Sequence, residues 1–184
     1  YSMQVFKFGG ASVKDAQGVK NLVTVLQEAG HKNTLIVVSA MGKMTNALES
    51  VVGNYFDNKT ELQSSLQEVR KFHNAILLDL FENENHIIFN KISKLFDELA
   101  AFFDRNKSPD YNFVYDQAIG YGELASTTII SAYLNEVGLE NNWLDVREFI
   151  KTDNYYRRAN VNWLETQLQI TTHFNQNKLI LQQL

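Results

Sequence analysis

Two short runs of β-forming residues, 3–8 and 34–39, flank a stretch with helical periodicity. Parallel strands cannot be joined by a tight turn, and a strand–helix–strand unit of about forty residues returns by a right-handed crossover. In the first run Val5, Phe6 and Phe8 favour extended backbone. The second, Leu35-Ile36-Val37-Val38, is continuously apolar, which suits a strand buried on both faces of a parallel sheet. Between them Val19, Leu22, Val23 and Leu26 recur at i, i+3, i+4 and i+7 and mark one helix face. Asp15 is placed to cap that helix and Gly30 to end it. The expected class is α/β.

The middle of the chain has a different period. Leu62, Leu66, Val69, Phe72 and Leu77, then Ile92, Leu95, Leu99 and Phe102, predict two antiparallel helices within 61–103, broken at Asn83 to His86. The aromatic stripes there read as core. Ser108-Pro109-Asp110 opens another helical region, interrupted at Gly120-Tyr121-Gly122 and resumed from Glu123 to about Val137. Residues 143–146 are predicted as a strand, 163–174 as a helix and 178–181 as a last strand.

Composition excludes several classes. The 184 residues carry a net charge of −4, which argues against a nucleic-acid groove or a polybasic membrane surface. There is no cysteine, hence no disulfide scaffold or thiolate metal site, and a reducing compartment such as the cytoplasm is expected. No apolar run reaches the length of a membrane span, and the start lacks the regions of a signal peptide.

Four constellations bear polar chemistry. In Lys7-Phe8-Gly9-Gly10-Ala11-Ser12 two glycines permit a tight turn, and the helix that follows offers unpaired N–H groups to an anion, with Lys7 as a point charge. It lacks Walker A spacing, and the plain alternative is a surface turn. Ser39-Ala40-Met41-Gly42-Lys43-Met44-Thr45-Asn46 follows the second strand, where ligands gather in open α/β sheets. Thr45 either meets a ligand or caps the next helix. Gly120-Tyr121-Gly122-Glu123 places two costly glycines in a helical stretch, explained by a ligand's close approach or by a simple helix break. Asp145-Val146-Arg147 with Thr152-Asp153 reads as ligand contacts or structural ion pairs, the latter favoured for Arg147. His31, His73, His86 and His173 form no H-x-x-x-H pair, and His73 and His86 are expected to be solvated.

The ordered set K-F-G-G-A-S-V, V-V-S-A-M-G-K-M-T-N, G-Y-G-E and L-D-V-R…T-D-N-Y-Y-R-R-A-N-V resembles the aspartate kinases of the amino-acid kinase family. The resemblance spans Met3 to about Val161 and is weakest between Glu61 and Phe103. It implies a three-layer αβα sandwich with a mainly parallel sheet, of the carbamate kinase-like type, carrying a helical insertion at about 60–104. It implies transfer of a phosphoryl group from ATP, with Mg²⁺, to the side-chain carboxylate of L-aspartate, the first step toward lysine, threonine and methionine. By resemblance Lys7 is catalytic, and Lys7, Phe8, Gly9, Gly10 and, less firmly, Ser12 hold the ATP phosphates. Ser39, Thr45 and Glu123 hold aspartate, Glu123 through its ammonium group. No residue is assigned to a metal. The intact enzyme is expected to be a homodimer or higher homo-oligomer, without nucleic acid or membrane as partner.

The family's catalytic domain is longer than this chain. Residues 3–184 are read as its N-terminal, aspartate-binding part, with the ATP-binding half and ACT domains absent and the fragment inactive alone. Other readings are a different enzyme of the same fold, acting on glutamate, acetylglutamate, carbamate or UMP, the front of a homoserine dehydrogenase fusion, or a non-catalytic binding or storage protein.

Overall fold

A computed structural model describes residues 3–181, with side chains described as far as His173. The chain divides into two compact units, Tyr1–Trp143 and Leu144–Leu184. In the first, β1 (Gln4–Phe8) leads through a 3-10 turn, Gly10–Val13, into α1 (Ala16–Ala29) and back to β2 (Thr34–Val38). The strands pair in parallel, with Lys7 opposite Val37 and Phe8 opposite Val38. The βαβ unit is therefore present, and its helix starts and stops where the residue types require. The Asp15 carboxylate accepts from the Gly18 N–H at 2.8 Å, and Gly30 leaves the helix at φ 83°. Val19, Leu22, Val23 and Leu26 are all buried.

Five further helices complete this unit: α2 (Met44–Asp57), α3 (Lys59–Leu80), α4 (Ile87–Arg105), α5 (Tyr111–Ile119) and α6 (Tyr121–Glu136). α3 and α4 are the predicted antiparallel pair. α4 buries Ile92, Phe96, Leu99 and Phe103, with Leu95 and Phe102 half-buried beside them, so its inward face is turned slightly from the expected one. Asp110 caps α5 by accepting from the N–H groups of Asn112 and Phe113.

Three expectations fail. β2 is not buried on both faces: Phe6, Phe8, Ile36 and Val38 face the core, while Val5 and Val37 on the other face are 62% and 43% exposed. Residues 143–146 form no strand; from Val146 they enter a short 3-10 turn, Val146–Glu148. Residues 178–181 continue α7 (Trp163–Leu181). A strand needs a partner for every backbone group, whereas a helix satisfies its own. Apolar β-formers without a neighbouring strand therefore settle elsewhere.

His73 is also not solvated. It is fully buried in α3, donates through Nδ1 to the Val69 carbonyl at 2.8 Å, and packs against the rings of Phe72 and Phe96. A carbonyl only accepts, so Nδ1 carries the proton and Nε2 is a bare acceptor with no partner. Burial holds this imidazole below its ordinary value of 6.5, against the opposing pull of the Val69 carbonyl. The unfolded chain then binds the proton more readily, so stability is complete above the ordinary value and declines as pH falls through the window beneath it. Urea unfolding of the wild type is expected to show this decline as pH falls below the ordinary value of 6.5. His73→Leu, which leaves no polar atom stranded, is expected to remove that component of the slope. His86 is half-buried rather than solvated: its Nδ1 accepts the Ile88 N–H at 3.1 Å and caps α4.

Candidate functional site

The carboxyl ends of the two strands are stitched together by backbone. Ser39 N–H donates to the Phe8 carbonyl at 3.1 Å and Gly42 N–H to the Gly10 carbonyl at 3.0 Å. Gly10 lies so close to the second loop that a Cβ there would stand 2.8 Å from the carbonyl oxygens of both Ala40 and Gly42. The contact explains why this position holds glycine. The element after Gly9-Gly10 is the 3-10 turn rather than α1, whose own start is occupied by Asp15. The first N–H groups of such a turn have no acceptor within it, and Ser12 N–H closes it on the Gly9 carbonyl at 2.9 Å.

α6 joins the same edge. A Cβ on buried Gly122 would lie 2.9 Å from Ala40 Cβ and 3.2 Å from Leu48 Cδ1. This close approach is to protein, so core packing accounts for the glycine. Four residues on, Ser126 is fully buried and its Oγ donates to the Ser39 carbonyl at 2.8 Å. Glu123, exposed in the first turn of α6, thereby comes to the end of β2. Thr45 lies in the first turn of α2 and is exposed; the N-cap position is Lys43, so Thr45 does not cap that helix. Lys7 is exposed at the penultimate position of β1. Neither Lys7 nor Glu123 enters an ion pair among the described residues.

The sequence profile of the Amino acid kinase family matches residues 2–181. The chain belongs to the amino acid kinase family. Over 152 residues it is 30% identical to bifunctional aspartokinase/homoserine dehydrogenase 2 of Escherichia coli, covering 82% of this chain and 18% of that protein. It is 28% identical over 156 residues to the lysine-sensitive aspartokinase 3 of the same organism, covering 84% of this chain and 33% of that one. The crystal structure of E. coli aspartokinase III in complex with aspartate and ADP superposes with a TM-score of 0.80 at 24% identity, over 95% of this chain and 39% of that chain. The chain thus spans well under half the length of these relatives. The α/β fold is that of the family.

In this family member the structure brings Lys7, Phe8, Gly9, Gly10, Ser12, Ser39 and Glu123, with Thr45 in the adjoining first turn of α2, to one edge of the first unit. Sequence reading overlooked Ser126. Its signal is the run of small residues Gly122, Ala125 and Ser126, all buried, on a helix that otherwise has large ones. The second unit holds the remaining motif. There Arg147 grips Asp145 in a fork, Nε at 2.9 Å and Nη2 at 2.6 Å, and this guanidinium holds the Asp145 carboxyl below its ordinary range. Asp153 accepts from the N–H groups of Tyr155 and Asn160 and from Asn160 Nδ2, organising its own loop. Both carboxylates do structural work within this unit. The described residues contain no group of three or more His, Asp or Glu side chains able to hold a metal ion.

Proposed function

We propose that this chain forms the aspartate-binding side of an ATP-dependent aspartate kinase that converts L-aspartate to 4-phospho-L-aspartate, at the entry to lysine, threonine and methionine synthesis. The observation that carries the reading is the convergence of Lys7, the Gly9-Gly10 turn, Ser39 and Glu123 on one strand edge, stitched by the Gly10–Gly42 and Ser126–Ser39 hydrogen bonds. The aspartokinase relatives support the choice of substrate.

The chemistry fits these side chains. The acceptor is a carboxylate with an ordinary pKa of about 3.9, ionised at neutral pH, so no general base is required. Two anions must instead be brought together and charge neutralised during transfer. Lys7 supplies a positive charge at the transferring phosphoryl group. The amides of the Gly9-Gly10 turn bind phosphate oxygens, with Phe8 and Ser12 shaping that turn. Ser39 and Thr45 offer hydroxyls to aspartate, and Glu123 pairs with its ammonium group. Mg²⁺, carried with the nucleotide, would neutralise phosphate charge, and no side chain here is assigned to it.

Turnover by the intact gene product with Mg-ATP and a panel of aspartate, glutamate, acetylglutamate, carbamate and UMP tests the reading. ADP release confined to aspartate is expected, and preference for another acceptor would sink it. The 184-residue chain alone is expected to release ADP at background rate, because it spans only 39% of the aspartokinase III chain. Robust turnover by the isolated chain would overturn that expectation.

A further inference from the structure

Among the described residues, Ser126 is the one fully buried hydroxyl that reaches two residues of the proposed aspartate site. Its Oγ stands 2.8 Å from the Ser39 carbonyl and 3.2 Å from the Glu123 carbonyl. Serine within a helix often bonds a carbonyl three or four residues back, and the Glu123 contact alone would be that ordinary case. The shorter bond leaves the helix and crosses to a residue 87 positions away in sequence. With a single proton to donate, the hydroxyl gives its larger share to Ser39.

Ser39 lies one residue past the end of β2, where the ladder no longer dictates its orientation. Its N–H is held by Phe8 at 3.1 Å and its carbonyl by Ser126 at 2.8 Å. The peptide groups on both sides of its Cα are thus tied, which sets the direction of the side chain. Beside this bond, Gly122 abuts Ala40 too closely to admit a side chain. The first turns of α6 are therefore docked at two adjacent points on the end of β2.

We propose that Ser126 is a positioning residue for aspartate binding: its buried hydroxyl fixes Ser39 relative to Glu123, so that the two can hold one aspartate between them. The proposal rests on the aspartate kinase reading above. Removing the hydroxyl should act selectively. The Glu123 carbonyl keeps the Thr127 hydroxyl as donor at 2.7 Å, whereas the Ser39 carbonyl is orphaned. The two acceptors of the Ser126 hydroxyl lie outside the turn that follows β1.

The test uses Ser126→Ala and Ser126→Cys in the intact gene product, with Ile92→Val in the α4 core as a control of comparable destabilisation. Cysteine fills the site but donates only weakly. Both Ser126 variants are expected to raise KM for aspartate roughly tenfold, as for a buried acceptor left unpaired. Changes in kcat and in KM for Mg-ATP should stay within about twofold, well under the loss expected for the orphaned carbonyl. Three results would overturn the assignment: wild-type KM in the cysteine variant, which makes the role one of packing; the same KM shift in Ile92→Val at an equal loss of melting temperature; or parallel shifts in the constants of both substrates. An intact protein that phosphorylates no aspartate would remove the underlying reading, and the clamp with it. An active protein whose aspartate KM ignores Ser126 would strike the clamp alone.

Discussion

Replacing Lys7 with alanine is expected to lower phosphoryl transfer by about a thousandfold or more while leaving aspartate binding largely intact. Loss of one preorganised donor aimed at developing charge typically costs 10²–10³ in rate, and Lys7 brings a full charge. Its position makes the prediction clean. The Cα is held by the ladder opposite Val37, the side chain is exposed, and no described carboxylate pairs with it. Truncation therefore removes charge without removing packing, and stability should change by no more than about 0.5 kcal/mol. Lys7→Arg should not restore the rate, because a planar fork places its charge differently from a compact ammonium. Single-turnover transfer and calorimetric titration with aspartate separate the two effects. Transfer near the original rate in the alanine variant would show the role assigned to Lys7 to be wrong.

Gly10→Ala is expected to be the most damaging small substitution at the site. The added methyl would meet two backbone oxygens, of Ala40 and Gly42, at 2.8 Å. Backbone cannot rotate aside as a flexible side chain can, so the β1 and β2 loops must part. Separation strains the Gly42 N–H to Gly10 carbonyl bond and moves Ser39 away from the Gly9-Gly10 turn. Overpacking of this kind costs about 1–3 kcal/mol, and a displacement of about 1 Å between reacting groups costs on the order of a hundredfold in rate. Gly9→Ala is the control. Gly9 is extended at φ −76°, and a Cβ there meets no atom within 4 Å, so its effect on melting temperature should be small. Equal melting temperatures and turnover for the two variants would refute the close-approach argument.

Local chemistry was legible where a single residue or a short period decides the outcome. Asp15 caps α1 because a carboxylate there satisfies an orphan N–H whatever surrounds it. The α3–α4 break and the helix start at Ser108-Pro109-Asp110 follow in the same way. Residues whose state depends on neighbours distant in sequence were not legible. A histidine amid polar helical residues reads as solvated, yet His73 lies on the α3 face that meets Phe96 of α4. Gly122 reads equally as a ligand approach or a helix break, and only the nearness of Ala40, 82 positions earlier, decides for packing. Ser126 carries no motif at all, since its acceptor is a main-chain carbonyl that any residue would provide.

Sequence alone determined the parallel βαβ unit, its capped helix, the helical middle and the four polar constellations, because spacing and residue type act over a few neighbours. It also pointed to the family. Tertiary structure alone decided that the first three of those constellations share one edge, and that the fourth is spent on its own ion pair and loop. It likewise decided that residues 143–146 and 178–181 are not strands. A strand is completed by hydrogen bonds from elsewhere in the chain, and a site by side chains brought from separate elements. Neither partner is written in the local sequence that seeks it.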